Sequence, residues 1–303
     1  MTAVTTFAPK PLRQNALECL LADGVTWGDA AVWLPVLPAG SVDLFFTSPP
    51  YANLRSYSRI DPDHYVEWFL PFADKILPAT RPTGSFVLNI NDRCVAGERH
   101  PYVFELVLAM RKRGWRWIET YTWVKPNAIP GRYGRRTKDA WEYVFHFSPT
   151  TKPYFDLDAI RVPYKTSAEE IARRLVDPSP RRNTPAGHGR TRAQTYRHGG
   201  ADPGNVIVAP ITYNQHYGVS HTAAMAEGLA EYVISAFCPP GGVVVDPFAG
   251  SGTTSVVARR LGRRAGGLEL HREFAEEAQR RLAEAERLPA QPELLDEGRE
   301  ATG

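Results

Sequence analysis

Apolar and polar positions alternate along this chain in two distinct rhythms. Short, nearly continuous apolar runs predict buried strands at Val42–Thr47, Ser85–Ile90, Trp117–Trp123, Tyr143–Phe147, Val243–Asp246 and Ala265–Glu269. Between them, spacing near 3.6 predicts helices at His64–Ile76, Tyr102–Lys112, Thr222–Ala236, Thr254–Leu261 and Arg272–Glu286. Strands alternating with amphipathic helices predict an α/β protein. The stretches PATRPTG and CPPGG read as turns between elements.

From about Thr150 to Tyr217 the rhythm breaks, and the chain becomes polar and rich in Pro, Gly and Arg, with short apolar pieces such as Ala159–Val162 and Val206–Pro210. That composition predicts either a loop or a small insertion that orders on a partner. The boundaries are therefore read as a first α/β half at 1–149, an insertion at 150–217, a second α/β half at 218–287 and a flexible acidic tail at 288–303.

Composition adds little until it is taken by region. The 303 residues are 43% hydrophobic with a net charge of +3, enough for one large core. Gly131 to Gly200 holds 14 Arg and Lys against 7 Asp and Glu, whereas His271 to Gly303 holds 5 against 9. A local basic excess suits a phosphate-contacting surface, although a solvated loop face has the same composition. Cys19, Cys94 and Cys238 show no paired spacing, and the histidines form no ligand pattern, so neither a disulfide framework nor a metal site is expected. With no membrane-length apolar run and no secretion signal, the expectation is a cytoplasmic protein.

Two motifs carry chemistry. The strand SVDLFF runs into Thr47-Ser48-Pro49-Pro50-Tyr51. The prolines fix the backbone and remove two N–H groups, leaving carbonyls, a hydroxyl and an aromatic ring at a strand end. An exocyclic base amine is a poor nucleophile because its lone pair is delocalised into the ring. Two acceptors, the Ser48 hydroxyl and the Pro49 carbonyl, would draw that nitrogen toward tetrahedral geometry, while Tyr51 would stack on an extruded base. A Pro-Pro turn beside a half-buried tyrosine is the plain alternative.

The second motif follows the strand VVVD as Asp246-Pro247-Phe248-Ala249-Gly250-Ser251-Gly252-Thr253-Thr254. Gly250 and Gly252 permit a sharp turn and close approach of a ligand to the backbone. Glu269, at the end of the next strand, is placed to accept from ribose hydroxyls. The third glycine of a dinucleotide fingerprint is missing, and no GK[ST] supports a phosphate loop.

Taken together, these motifs resemble the amino-methyltransferases of bacterial restriction–modification systems in their beta-class order: catalytic [DNS]PP[YFW] motif, target recognition region, then DPFxGSGTT. The resemblance spans about Trp27 to Leu282. It implies a Rossmann-like S-adenosylmethionine-dependent methyltransferase sheet with a smaller, basic target recognition insertion. It implies catalytic residues Ser48, Pro49, Pro50 and Tyr51, and a cofactor site of Asp29, His221, Asp246, Phe248, Gly250, Ser251, Gly252, Thr253, Thr254 and Glu269. DNA contacts fall to Arg132, Arg135, Arg136, Arg181, Arg182, Arg190, Arg192 and Arg197. The implied activity is methyl transfer from S-adenosylmethionine to the amine of a flipped base in double-stranded DNA, with a cognate endonuclease as a separately acting partner.

The family helix motif HPAxxP is replaced by His221-Thr222-Ala223 with Ala226 at the second proline position, and Asn89 stands where some members carry an acid, with Asp92 nearby. Ser48 at the head of the PPY motif points within this family to cytosine N4 over adenine N6. RNA or glutamine-amide methylation, and an inactive DNA-binding module on the same scaffold, are the other readings. Cytosine-C5 chemistry is disfavoured because no Pro-Cys is present.

Overall fold

The computed structural model describes residues 12–52, 60–128, 134–176, 198–211 and 225–287. In chain order the strands are β1 (Thr26–Trp27), β2 (Val42–Thr47), β3 (Thr80–Ile90), β4 (Cys94–Val95), β5 (Glu98–Arg99), β6 (Arg116–Val124), β7 (Trp141–Ser148), β8 (Val206–Val208), β9 (Val243–Asp246) and β10 (Arg264–Glu269). The helices are α1 (Leu12–Asp23), α2 (Ala30–Trp33), α3 (Tyr65–Ala79), α4 (Tyr102–Lys112), α5 (Ala168–Leu175), α6 (Glu227–Phe237), α7 (Thr253–Arg260) and α8 (Arg272–Arg287). The fold is α/β, as the sequence pattern predicts, with the Rossmann-like sheet that the resemblance implies.

Among the described residues, eight strands form one sheet in the order β1-β10-β9-β2-β3-β7-β6-β8, and β4 and β5 make a separate hairpin. Pairing is parallel from β1 through β3, while β7 runs antiparallel to both β3 and β6. The sheet is covered on both faces, which is why its strands read as unbroken apolar runs. Phe45, Phe86 and Leu88 pack in one cluster with residues of α1 to α4, and Leu44, Phe46 and Val87 pack in another with residues of α6 and α7. Successive strand residues thus feed opposite layers. No described helix is long and apolar enough to cross a membrane.

Three features depart from the sequence pattern. PATRPTG is not a free turn, because β3 begins at Thr80, directly after α3. Thr80 pairs with Val42, and the register with β2 then shifts before Ser85 meets Leu44, so Pro82 and Gly84 occupy an irregular part of the strand. β8, from the polar middle of the chain, adds to the sheet edge beside β6 in parallel register. Helix α5, in the same polar stretch, has no buried residue. The helix expected from Thr222 starts at Glu227 among the described residues, and the acidic tail beyond 287 lies outside them.

Candidate active site

The order β9-β2 places two chain-distant strands side by side, so the loops at their carboxyl ends emerge together. This is the switch point in the parallel part of the open sheet, where such folds bind ligands. A side-chain bond ties the loops at their roots: the Thr47 hydroxyl donates to Asp246 Oδ1 at 2.6 Å. Thr254 donates to Asp246 Oδ2 at 2.7 Å, and the Phe248 backbone N–H donates to Oδ1 at 3.0 Å. Asp246 is buried and its donors are neutral, so desolvation pushes its carboxyl up to about 6 against the pull of the Thr47 and Thr254 bonds.

The Ser48–Tyr51 loop rests on a polar cluster beneath it. The Tyr51 hydroxyl donates to Glu142 Oε2 at 2.6 Å, lies 3.0 Å from Ser48 Oγ, and makes a longer approach of 3.4 Å to Asn89 Oδ1. Burial first, and the Glu142 charge second, hold the Tyr51 phenol well above its ordinary pKa, so it stays protonated. The Asn89 amide donates to Glu142 Oε2 at 3.0 Å and to the Tyr143 carbonyl at 3.1 Å. Lys125 closes the cluster as the ion-pair partner of Glu142 Oε1, its ammonium 5.0 Å from the Trp123 ring centre. From the other side, the buried Tyr65 hydroxyl donates to the Pro50 carbonyl at 3.0 Å and clamps the loop.

Strand register explains this gathering. Asn89 pairs with Val144, and Glu142 lies two residues from Val144 on the same face. Trp123 pairs with Glu142, and Lys125 follows two residues later. Three strands therefore aim Asn89, Glu142 and Lys125 into one space. Asp92, the other nearby acid, is paired with Arg99 instead.

In the second loop, Gly250 and Gly252 both have positive φ, at 51° and 76°. A Cβ on Gly252 would lie 2.9 Å from Ala278 Cβ and 3.3 Å from Val25 Cγ2, so α8 itself makes a close approach there. The hydroxyls of Ser251 and Thr253 are also turned toward α8. The buried Arg281 donates to Thr253 Oγ1 at 2.8 Å and to the Ser251 carbonyl at 3.3 Å, and pairs with Glu227 at 2.7 Å. Ser251, Thr253, Thr254 and Asp246 thus spend their side-chain bonds on the shape of the loop.

Glu269 is buried at the end of β10. Its carboxylate accepts from the Gly250 N–H at 3.0 Å and the His271 N–H at 2.8 Å, one on each oxygen, with the Leu270 N–H as a further backbone donor. Burial raises its pKa despite these bonds. The Gly28 N–H binds the Glu269 carbonyl at 2.9 Å, which sets Asp29 beside it. Asp29 caps α2 through one oxygen, accepting from the Ala31 N–H at 2.7 Å. Phe248 stands against an aromatic wall of Trp68, Phe69 and Phe72, 5.0 to 6.3 Å between ring centres.

Of the remaining predicted site residues, Arg135 and Arg136 are exposed, with Arg136 3.1 Å from Asp139. His221, Arg132, Arg181, Arg182, Arg190, Arg192 and Arg197 lie outside the described residues. The sequence reading did not single out Glu142, Lys125 or Arg281 as site residues.

A DNA methylase family model, of the N6/N4 type, matches residues 42–280, which include both loops and every strand from β2 to β10. The chain belongs to this family. The type II methyltransferase M.PvuII of Proteus hauseri is 29% identical over 270 residues, covering 82% of this chain and 80% of its own. The DNA adenine methyltransferase YhdJ of Escherichia coli K12 is likewise 29% identical, over 293 residues, covering 93% and 90%. In structure, the PvuII enzyme, titled cytosine-N4-specific, gives a TM-score of 0.65 at 24% identity over 86% of this chain and 90% of its own. A DNA modification methylase of Thermus thermophilus, TTHA0409, solved with S-adenosyl-L-methionine and titled as putative, gives 0.58 at 25% identity over 86% and 93%. This chain is thus an N6/N4-type DNA methyltransferase by family.

Proposed function

We propose that this DNA methyltransferase transfers a methyl group from S-adenosylmethionine to the N4 amine of a cytosine extruded from double-stranded DNA. The observation that carries the reading is the junction of the two loops at Thr47 and Asp246, which sets the Ser48–Tyr51 loop against the glycine turn. Ser48 in place of Asp at the head of the PPY motif favours cytosine, as does the resemblance to M.PvuII, whose structure is titled cytosine-N4-specific. The similarity to YhdJ keeps adenine N6 as the second reading.

The residues present fit the cofactor. The Glu269 carboxylate has more acceptor positions than its backbone donors fill, which suits a ribose hydroxyl, Asp29 lies next to it, and Phe248 adds an aromatic ring. When bound, S-adenosylmethionine supplies an electrophilic methyl on a positively charged sulfur. Ser48 Oγ and the Pro49 carbonyl accept the two amine N–H bonds and localise the nitrogen lone pair. With its lone pair localised, the amine would act as the nucleophile toward the methyl group that S-adenosylmethionine would supply, and the proton it sheds would pass to water. Holding the partners in line supplies much of the acceleration, and no covalent enzyme intermediate is required. The Tyr51 ring stacks on the extruded base. Exposed Arg135 and Arg136, with Arg132, Arg181, Arg182, Arg190, Arg192 and Arg197, supply phosphate contacts. Separate action beside a cognate endonuclease in the cytoplasm completes the reading.

The test is single-turnover methylation of bulk DNA from an unmethylated host, alongside DNA affinity. Ser48→Ala should slow transfer about 30- to 1000-fold, the effect of one lost bond in a dry site, with DNA affinity nearly unchanged. A full rate would assign the acceptor role elsewhere.

A further inference from the structure

We infer that Glu142 is a positioning residue that sets the direction of the hydrogen-bond chain from Tyr51 to Ser48, so that the Ser48 oxygen faces the target amine as an acceptor. The inference rests on the proposed acceptor role of Ser48.

A hydroxyl offers one proton and two lone pairs, and the 3.0 Å contact between Ser48 Oγ and Tyr51 Oη runs in either direction when taken alone. If Tyr51 donated to Ser48, the Ser48 proton would be free to point into the active site, where it would meet the N–H bonds of the base. Glu142 removes that arrangement. Its carboxylate accepts only, and it takes the single Tyr51 proton at 2.6 Å, shorter than the 3.4 Å approach to Asn89. Tyr51 Oη is then left to accept, Ser48 must donate to it, and both Ser48 lone pairs remain for the amine.

The surroundings hold Glu142 to this task. Lys125 and the Asn89 amide satisfy the carboxylate, and both it and Lys125 have side chains only 11% exposed. Burial holds the Tyr51 phenol well above its ordinary pKa, so the proton stays on the tyrosine and the carboxylate only orients the chain. The carboxylate enters from β7, beside the β3 position that Asn89 fills with a neutral amide. Asn89 acts as a second anchor by donating both amide hydrogens, one to Glu142 and one to the Tyr143 carbonyl.

The experiment is a double-mutant cycle in single-turnover methylation of bulk unmethylated DNA, with S-adenosylmethionine affinity measured by calorimetry for every variant. Glu142→Gln presents an amide that donates as well as accepts, and Tyr51→Phe keeps the ring but deletes the hydroxyl. Each should slow transfer about 10- to 50-fold, with cofactor affinity within about twofold of the parent. Because both act through Ser48, neither should slow a Ser48→Ala protein by more than about threefold. Glu142→Gln and Tyr51→Phe combined should be no slower than either alone. Full rate in Tyr51→Phe, or losses that multiply with that of Ser48→Ala, would overturn the inference while leaving the Ser48 role intact. If Glu142→Gln fails to fold, the Tyr51→Phe arm decides the outcome alone. Full rate in Ser48→Ala would remove the acceptor reading itself, and this inference with it.

Discussion

Two buried carboxylates, Glu142 and Asp246, support the two loops of the site, and they are held in opposite ways. Glu142 has a cation: Lys125 takes one oxygen, while the Tyr51 hydroxyl and the Asn89 amide take the other. Asp246 is held by neutral donors, the hydroxyls of Thr47 and Thr254 and the Phe248 N–H, and its pKa is pushed up to about 6. The first arrangement fixes a charge and with it the direction of every hydrogen bond around it. The second fixes a shape and tolerates a change of charge. On the proposed reading, one loop needs a defined acceptor pattern for chemistry, whereas the other has to keep a glycine turn in place.

The difference is broken most severely by removing the cation. Lys125→Met leaves Glu142 nearly buried and without its counter-charge, and should cost on the order of 3 kcal/mol of stability. Urea unfolding should show a lowered midpoint at unchanged slope, and adding Glu142→Gln should restore most of the loss. A Lys125→Met protein as stable as the parent would mean that the pair contributes nothing.

The smaller effect belongs to Asp246. A carboxyl whose folded pKa is raised binds its proton more tightly in the fold than in the unfolded chain. Its contribution to stability is therefore fully present below about pH 4 and is lost as pH rises through about 6. Asp246→Asn should flatten the pH dependence of the unfolding midpoint between about pH 4 and 6, removing a slope worth roughly 1–3 kcal/mol. Identical pH profiles for the two proteins would show that Asp246 does not titrate in this range.

These two supports differ as much in how they can be read from sequence. The Asp246 side was legible because its residues adjoin: strand, acid, glycine turn and Thr254 follow one another directly along the chain. The Glu142 side was not, since Ser48, Asn89, Lys125 and Glu142 meet only through the pairing of β3, β6 and β7. Within WEYVFHF, a glutamate reads as a polar interruption of a strand. Arg281 was hidden for a similar reason, because an arginine on an amphipathic helix reads as surface until α8 packs on the glycine turn. Among the strands, continuous apolar runs gave Val42–Thr47 and Val243–Asp246 to the residue. Thr26–Trp27 and Val206–Val208 are too short to show a period. The glycines were read as room for a ligand, yet at Gly252 the nearest neighbours are Ala278 and Val25, so helix packing alone already demands glycine there.

The central claim, amine methylation of cytosine at the Ser48–Tyr51 loop, is tested most directly by nucleoside mass spectrometry. DNA would be taken from a host free of its own methyltransferases, expressing either this chain or its Ser48→Ala variant at equal level. The account predicts N4-methylcytosine with the parent chain and, at matched short induction, a strongly reduced amount with the variant. N6-methyladenine in its place, or DNA without either modified base, would contradict it.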